Sequence, residues 1–475
     1  MNANNHVSSN FLLSRVVGAT ALTLVTVTAA NAQVPIQPRM GDPVPGLSAA
    51  ELNRFDLGKQ AFNKTQSIAD GLGPVFNDTS CEHCHLSPTI GGSSTKFVTR
   101  FGKAASGPNP FDPLDPMGGS LLQKSSINTP LCDETIPPQA DVVITRMTPP
   151  TFGFGLVEAI ADSDIQVREA FPPPGVSGRA HLMTAAEAPL GPVRVGRFGF
   201  KAQVPTVLTF SGDAGVNELG LSNRLFTADN APNGDPVRLA QCDTVADPED
   251  HSDPQGFHQI DRMTDFQRYL AAPPQTPKSG MLGEVVFNGV GCGACHVPTP
   301  YTTLGSVEAG LANQEIKPYS DFLLHDVGSL GDGIPQGMAT ETEFRTTPLW
   351  GVGHRATFAL LHDGRAAGQS AAGNIDLAIL AHDGEALASR NAYVALSAAD
   401  KTKLQNFLLS LGRAEFDAEF NNNVDEIDWF FLRTWVTGPG SFYTPDSPEA
   451  IADFDQDGDF DLRDIAALQR AYTGT

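Results

Sequence analysis

Apolar residues recur at helical spacing in several separate parts of the chain. Ser48 and Glu51 stand three residues apart in a capping-box pattern, and Ser397 and Asp400 repeat the arrangement. The apolar positions after each cap share one helical face: Leu52, Phe55, Ala61 and Phe62 after the first, and Leu404, Phe407, Leu408 and Leu411 after the second. The pattern predicts a helix after each cap, and Gly412 is expected to end the second.

Two further helices are predicted in the middle of the chain. One carries Phe266, Tyr269 and Leu270 on one face and ends before two consecutive prolines, and the other carries Phe287. Because proline interrupts a helix, we predict a domain boundary in the linker over residues 271–280.

The first residues have the pattern of an export signal. Arg15 precedes an apolar run over residues 16–28, and small alanines precede Gln33 at signal-peptidase spacing. An uncleaved anchor is the alternative, but a membrane span needs about 20 apolar residues. We expect residues 1–32 to be removed, which leaves a mature chain in the periplasm or outside the cell.

An acidic repeat occupies the last part of the chain. Six side chains hold positions 1, 3, 5, 7, 9 and 12 of an EF-hand-type calcium loop, with Gly458 at position 6: Asp453, Asp455, Asp457, Asp459, Asp461 and Asp464. The same spacing occurs 36 residues earlier, in the first of the two loops: Asp417, Glu419, Asn421, Asn423, Asp425 and Asp428. Position 6 of that copy is Asn422 and it has fewer carboxylates, so we expect it to bind calcium more weakly. An apolar helix follows each loop, which argues against a disordered acidic tail.

The charge balance excludes one class of partner. The chain has 31 basic and 54 acidic residues, a net charge of −23. Phosphate recognition needs clustered Lys and Arg, so no nucleic-acid partner is expected. A hydrophobic content of 41% predicts a soluble globular protein, and 46 glycines with 36 prolines favour long loops between its elements.

Four of the six cysteines lie in two CxxCH motifs. In c-type haem attachment the two thiols form thioethers with the haem vinyl groups, and the following histidine ligates the iron. A redox CxxC pair and a zinc knuckle are the alternatives, but a histidine follows both copies in a chain with an export signal. We predict two covalently attached c-type haems, held by Cys81, Cys84 and His85 and by Cys292, Cys295 and His296.

Cys132 and Cys242 lie outside any motif. In an oxidising compartment a structural disulfide between them is the favoured interpretation. Two free thiols or a redox-active pair are the alternatives, although no CxxC spacing supports the latter.

Several sequence runs extend beyond these motifs: residues 71–77 (GLGPVFN), 196–202 (GRFGFKA), 319–321 (YSD), 324–328 (LHDVG), 344–350 (FRTTPLW), 361–365 (LHDGR) and 382–385 (HDGE). With them, residues 47–412 resemble the bacterial di-haem oxidoreductases, relatives of di-haem cytochrome c peroxidase and of the di-haem enzyme that matures methylamine dehydrogenase. The last 62 residues resemble a dockerin-type calcium module.

The resemblance implies a division of labour between the two haems. His85 would be the proximal ligand where peroxide binds, and His296 that of a haem that passes electrons. No histidine occurs between His85 and His181, which favours an open first iron at rest, with closure by His181 as the alternative. Asp213 and Glu218 are the candidates for the carboxylate that handles the proton.

Three side chains are candidates for the sixth ligand of the second iron. Met338 lies six residues before Phe344, as in cytochrome c peroxidases, and His325 belongs to the family's histidine–aspartate motif. Tyr319 is the third. The alternative for Met338 is a gap-filling core side chain, and for His325 a hydrogen bond that holds a loop.

These patterns predict a mainly α fold with long loops. We assign residues 1–32 to the signal peptide, 33–275 to a cytochrome c-like haem domain with an insert, 276–412 to a second such domain, and 413–475 to a paired calcium-loop helical module. The module is expected to dock a partner, with a stability clamp as the alternative.

The predicted function is reduction of hydrogen peroxide by an exported di-haem c-type oxidoreductase. Its electrons would come from a small redox protein, a cytochrome c or a cupredoxin. One alternative is oxidation of a protein or organic substrate through high-valent iron, and another is a non-catalytic electron-transfer protein.

Overall fold

Short helices and short strands, joined by long loops, build the described part of the chain. The structure is a computed structural model that describes residues 35–106 and 110–474. The predicted signal peptide, residues 1–32, and the predicted mature start at Gln33 lie outside the described residues. The described residues from Ile36 onwards form one compact unit. In the described ranges no helix combines the length and apolar character that a membrane crossing requires.

The helices are distributed along the whole described chain. They are α1 (Ala49–Asn63), α2 (Cys81–Cys84), α3 (Phe154–Glu158), α4 (Asp162–Ala170), α5 (Val207–Glu218), α6 (Pro236–Cys242), α7 (Gln259–Tyr269), α8 (Leu282–Gly289), α9 (Val352–Arg355), α10 (Ala371–Leu380), α11 (Leu387–Val394), α12 (Ala398–Ser410), α13 (Glu426–Leu432) and α14 (Leu462–Ala471).

The strands are short and antiparallel. They are β1 (Val75–Phe76), β2 (Phe97–Ala104), β3 (Phe111–Asp112), β4 (Ser120–Leu122), β5 (Ser125–Ser126), β6 (Val142–Met147), β7 (Leu182–Met183), β8 (Arg194–Val195), β9 (Tyr301–Thr302), β10 (Glu315–Ile316), β11 (Leu324–Asp326), β12 (Glu343–Arg345), β13 (Ala359–Leu360) and β14 (Ala366–Ala367). β2 pairs with β3, β4 and β6 in a four-stranded sheet, and the other strands form two-stranded pairs.

The four predicted helices are present. The Ser48 hydroxyl accepts a hydrogen bond from the Glu51 N–H at 3.3 Å, and Glu51 accepts one from the Ser48 N–H at 2.8 Å, which completes the capping box of α1. Ser397 caps α12 by accepting from the Asp400 N–H at 3.1 Å. α7 and α8 lie where the apolar spacing placed the two middle helices.

The prediction of a mainly α fold is confirmed only in part. Helices account for about 34% of the chain, and the long loops are present, but the sheet around β2 was not predicted. β2 is not a strand with one buried and one exposed face, because only Phe101 and Gly102 are buried among its eight residues. The alternation that marks a half-buried strand is therefore missing from its sequence.

Buried side chains form three main clusters. The first lies between α1, α3 and α7, where the rings of Phe55 and Phe62 pack at a tilt against Phe266, with centroids 5.4 and 4.9 Å away. α1 and α7 approach closely at Gly58, where a Cβ would lie 2.5 Å from the Arg262 carbonyl oxygen. The second cluster lies between α8, α10 and α12, and the third lies in the acidic repeat. The predicted domain boundaries stay a prediction.

The acidic repeat has matching backbone geometry in its two copies. Position 4 of each loop, Phe420 and Gln456, has a positive φ, and so does position 6, Asn422 and Gly458. A capping box starts the helix after each loop, α13 and α14. The internal repeat is therefore visible in the backbone. Its two helices differ in length, because α13 ends at Leu432 after seven residues and α14 has ten.

The repeat packs against the rest of the chain. Asn422 is buried, and its side-chain amide accepts a hydrogen bond from the Met40 N–H at 3.1 Å and donates one to the Met40 carbonyl at 2.9 Å. Glu415 pairs with Lys278 at 2.6 Å. The module is thus part of the same compact unit as the segments that carry the CxxCH motifs.

The two remaining cysteines are bonded to each other. Cys132 and Cys242 are both buried and form a disulfide with a Cα–Cα distance of 6.0 Å. The favoured interpretation is confirmed, and the disulfide joins α6 to the loop that follows β5 across 110 residues.

Candidate functional site

The first CxxCH motif is a single helical turn with its histidine held in one orientation. The His85 N–H donates to the Cys81 carbonyl at 3.0 Å, which closes the turn between the first cysteine and the histidine. Nδ1 of His85 lies 3.0 Å from the Gly92 carbonyl and donates to it. Burial lowers the pKa of His85 to about 4, so the imidazole is neutral and Nε2 carries a free lone pair.

The second motif repeats this geometry. The His296 N–H donates to the Cys292 carbonyl at 3.0 Å, and Nδ1 donates to the Tyr319 carbonyl at 3.0 Å. Burial, then the nearby His382, lowers the pKa of His296 to about 4. The hydroxyl of Tyr319 donates to Glu284 at 3.1 Å. Tyr319 therefore orients His296 through its backbone, and nothing supports it as the sixth ligand.

An apolar cavity opens beside the second motif. Cys292, Cys295 and His296 line it together with side chains from α8, α9, α10 and α12 and the loops between them: Phe287, Leu349, Val352, Leu360, Leu361, Ile375, Ala378, Ile379 and Leu408. Such a lining suits the apolar macrocycle of a haem.

A buried arginine in this cavity lacks a partner. Arg355 is 9% exposed, and its Nε and Nη2 have no hydrogen-bond partner among the described residues. Burial lowers its pKa to about 10, so the guanidinium is charged at neutral pH. An unpaired cation in an apolar cavity fits the carboxylates of haem propionates. The residues present therefore fit a haem at the second motif.

His382, at the end of α10, is a functional candidate that the sequence reasoning missed. It lines the same cavity, and its Nδ1 donates to the Ala378 carbonyl at 2.7 Å. Burial lowers its pKa, which leaves Nε2 as a neutral donor atom close to His296. His382 lies in the HDGE run that supports the family resemblance, and that run could have indicated it.

His325 lines the cavity but has both ring nitrogens occupied. Nε2 lies 2.9 Å from Asp321, and Nδ1 lies 2.9 Å from Glu385. Burial lowers its pKa, but the hydrogen bonds to Asp321 and Cys295 outweigh this and raise it to about 11. His325 is thus an imidazolium held by two carboxylates, as in the alternative interpretation of a loop-holding histidine.

Met338 does not line the cavity around His296. Its side chain is 48% exposed, and its backbone N–H donates to Nε2 of His181 at 3.0 Å. Nδ1 of His181 donates to the Lys201 carbonyl at 2.8 Å, so both nitrogens of His181 are occupied. The structure supports neither Met338 as the sixth ligand of the second iron nor His181 as a ligand that closes the first.

Asp213 and Glu218 lie together on α5 beside the first motif. Glu218 accepts from the Asn77 side-chain amide at 2.7 Å, and its charge acts on both Cys81 and Cys84. Burial is the largest cause of its raised pKa, and the charge of Asp213 adds to it. Burial also raises the pKa of Asp213, although Arg100 opposes this. Both carboxyls are therefore protonated more readily than exposed carboxyls of the same type.

The charged residues of the 196–202 run stabilise the fold and do not enter the cavity as free groups. Arg197 is fully buried and donates to the carbonyls of Val157, Glu158 and Ile160. Lys201 is also buried, and its Nζ donates to the Glu343 carbonyl at 2.6 Å.

The second acidic loop brings carboxylates together. Oxygens of Asp453, Asp455 and Asp464 lie within 4.8 Å of one another, and so do oxygens of Asp459, Asp461 and Asp464. Burial, then the neighbouring carboxylates, raises the pKa of Asp453 to about 6. The set of oxygen ligands fits calcium.

The first loop gathers fewer ligands. Oxygens of Glu419, Asp425 and Asp428 lie within 4.8 Å of one another. Asp417 accepts from the N–H groups of Asn421 and Asn422 at 3.1 and 2.8 Å. The expectation of weaker binding by this loop stays a prediction.

Comparisons with known proteins bear on the family. The family model described as "Di-haem oxidoreductase, putative peroxidase" matches residues 134–411, more than half of the chain. A search of curated proteins with this chain found no match. Among solved structures, a crystal structure of a MauG-like protein associated with microbial copper homeostasis is 16% identical, with a TM-score of 0.36, and the alignment covers 83% of this chain and 99% of that one. On the family match, this chain belongs to the di-haem oxidoreductases, which are redox enzymes with two haems.

Proposed function

We propose that this protein is an exported di-haem c-type oxidoreductase that reduces hydrogen peroxide with electrons from a small cytochrome c or cupredoxin. The observation that carries the proposal is the shared geometry of His85 and His296. Each follows a CxxC turn and donates Nδ1–H to a backbone carbonyl, which places the lone pair of the neutral imidazole on Nε2. A proximal haem ligand needs this tautomer and orientation.

Covalent attachment would use the four thiols that the structure leaves free: Cys81, Cys84, Cys292 and Cys295. When bound, the haems supply the redox chemistry and the site where peroxide reacts. The chain would hold the macrocycles through thioethers, neutralise a propionate of the second haem through Arg355, and exclude water with the apolar cavity wall.

Proton handling at the first haem is assigned to Glu218. It is half-buried close to both thiols of the first motif, and its raised pKa makes it a better proton acceptor than an exposed carboxylate. Asp213, on the same helix, lies close enough for its charge to raise that pKa.

His382 is proposed as the sixth ligand of the second iron, in place of Met338 and His325. Its free Nε2 and its position in the cavity with His296 support this assignment. A second imidazole keeps the reduction potential lower than a thioether ligand would.

Spectra of the purified oxidised protein test the proposal. Mass spectrometry should find two haems bound to the chain, and the double variant Cys81→Ser, Cys84→Ser should keep one. We expect one high-spin and one low-spin ferric signal, and only the high-spin signal should change with stoichiometric peroxide. Two low-spin signals that peroxide does not change, either before or after one-electron reduction, would contradict the enzyme proposal and support a non-catalytic electron-transfer protein.

Turnover separates peroxide reduction from substrate oxidation. Steady consumption of peroxide with a reduced cytochrome c or cupredoxin as donor is the expected result. Consumption that requires an organic or protein substrate and ignores those donors would support the alternative enzyme.

Calcium binding by the two loops is proposed from their carboxylate clusters. The dockerin-like module also packs on the body of the protein through Asn422 and Glu415, and this supports a stabilising clamp in addition to a docking role. Its outer helix α13 exposes Ile427, Phe430 and Phe431, which a docking partner could cover.

A further inference from the structure

A third cluster of carboxylates lies away from both the haem motifs and the acidic repeat. Oxygens of Asp229, Asp243 and Asp247 lie within 4.8 Å of one another. They come from the loop after α5 and from the segment after α6, where Asp243 follows the disulfide-bonded Cys242.

Asp229 differs from the other two aspartates because it is buried without a hydrogen-bond partner. Asp229 is only 8% exposed, and neither of its carboxylate oxygens has a hydrogen-bond partner in the described part of the chain. Almost all buried carboxylates are paired or hydrogen-bonded, or they coordinate a metal. Both oxygens of Asp229 are thus free in a cluster that gathers further oxygens around them.

The charges that act on Asp229 are negative. Burial is the largest cause of its raised pKa of about 8, followed by the charges of Glu249, Asp247 and Asp243. No arginine or lysine contributes to that shift. A cation among these oxygens would therefore offset the repulsion between the neighbouring acidic groups.

The donor set selects the type of cation. All the available atoms are hard oxygens, without histidine or thiolate, which favours calcium or magnesium over zinc or copper. Asp247 is exposed, and Asp243 uses one oxygen to accept from the Val245 N–H at 3.1 Å. An irregular set that is open to solvent on one side suits the flexible coordination of calcium.

We propose that Asp229, Asp243 and Asp247 bind a calcium ion that is distinct from those of the acidic repeat. The ion would fix the segment that follows Glu218. Ser222 donates from its N–H to Glu249 at 2.9 Å, and its hydroxyl also contacts Asp247. Glu249 in turn lies against Gly71, where a Cβ would be 2.4 Å from the Glu249 Cβ. The site would thereby hold the ends of α5 and of the segment before the first motif together.

Calcium stoichiometry of the full-length holoprotein tests this site. The protein is stripped of metal with a chelator, dialysed against calcium, and analysed by elemental mass spectrometry. Asp229→Asn should bind one calcium fewer per chain than the wild type. The matched control Asp56→Asn, which changes an exposed acid on α1, should bind as many as the wild type.

A background that disables the acidic repeat isolates the site. In the variant Asp417→Asn, Asp428→Asn, Asp453→Asn, Asp464→Asn we expect one remaining calcium, a calcium-dependent rise in melting temperature, and loss of both when Asp229→Asn is added. Equal calcium counts in the wild type and Asp229→Asn would overturn the proposal. If Asp229→Asn or the background does not fold, Asp247→Asn in the wild type must lose one calcium; Asp247 is exposed, and the asparagine keeps an oxygen that can accept from the Ser222 hydroxyl.

Discussion

At the residue scale, hydrogen bonds distinguish the histidines that can bind iron from those that cannot. His85, His296 and His382 each donate Nδ1–H to a backbone carbonyl, which leaves the lone pair of the neutral ring on Nε2. His325 gives both nitrogens to carboxylates, and His181 uses both on backbone groups. Sequence position alone could not make this distinction, because the partners are set by residues distant along the chain.

His382→Met tests the sixth ligand of the second iron. A thioether stabilises the reduced iron relative to an imidazole, so the potential of the low-spin haem should rise by on the order of 100 mV. Redox titration followed by optical spectroscopy measures this. Met338→Leu is the matched control and should leave the potential unchanged; a shift in the control instead would return the assignment to Met338.

Glu218→Gln tests the proton carrier. Glutamine has the shape of glutamate and keeps one oxygen that can accept from Asn77, but it cannot exchange a proton. Peroxide turnover should therefore fall by about 10²–10⁴-fold. Steady-state kinetics with a saturating donor gives the number, and the spectra of both haems should stay as in the wild type. A fall of less than threefold would show that Glu218 does not carry the proton.

His325→Asn tests the buried ion pairs through pH. Burial opposes a charged His325, but Asp321 raises its folded-state pKa and still does so when Cys295 is a thioether, so the contribution of His325 to the free energy of unfolding is complete below pH 6.5 and falls as pH rises above it. The difference in unfolding free energy between wild type and variant should therefore be larger at pH 6 than at pH 9. Denaturant unfolding at the two pH values measures it, and a difference that grows with pH would contradict a protonated His325 in the folded protein.

At the scale of elements, local patterns were predictive and long-range pairings were not. The caps of α1 and α12, the turns at the CxxCH motifs and the local backbone of the two acidic loops depend on residues within about a dozen positions, so the spacing was enough to predict them. Calcium binding by those loops stays a prediction. The four-stranded sheet around β2 and the approach of His382 to His296 depend on contacts across scores of residues. Arg355 gave no signal of its own, because burial of a charge is a property of the folded chain.

Asn422→Gly tests the contact between the first calcium loop and Met40. Glycine keeps the positive φ of 69° that this position requires, so the change removes only the two hydrogen bonds to the Met40 backbone. Leaving that buried N–H and carbonyl unpaired should lower the free energy of unfolding by about 2–4 kcal/mol. Urea unfolding in saturating calcium measures the loss, and a value below about 0.5 kcal/mol would show that the contact does not hold the module.

At the scale of the whole molecule, the haem motifs, the insert and the acidic repeat form one unit. The two CxxCH motifs predicted the two haems, and the family match agrees with them. The packing of the repeat onto the body could not be predicted, since an acidic tail with calcium loops is equally compatible with a separate tethered module. The residues that settle it, Met40 and Asn422, lie 382 positions apart.

Removal of the disulfide tests how strongly the insert is held. The double variant Cys132→Ser, Cys242→Ser opens a loop of 110 residues and should lower the free energy of unfolding by about 2–5 kcal/mol. The haem spectra should not change, because neither cysteine lies in a CxxCH motif. Unchanged stability under denaturant would indicate that the insert is held by its packing alone.

The contact between Met40 and Asn422 also imposes an order on biosynthesis. The segment around residue 40 leaves the ribosome long before the loop that will cover it, and both CxxCH motifs are made in between. The early segment therefore stays uncovered until the last sixty residues have been synthesised and have folded. A chain that stops before that point would carry both haem motifs but would leave the Met40 backbone without its partner Asn422.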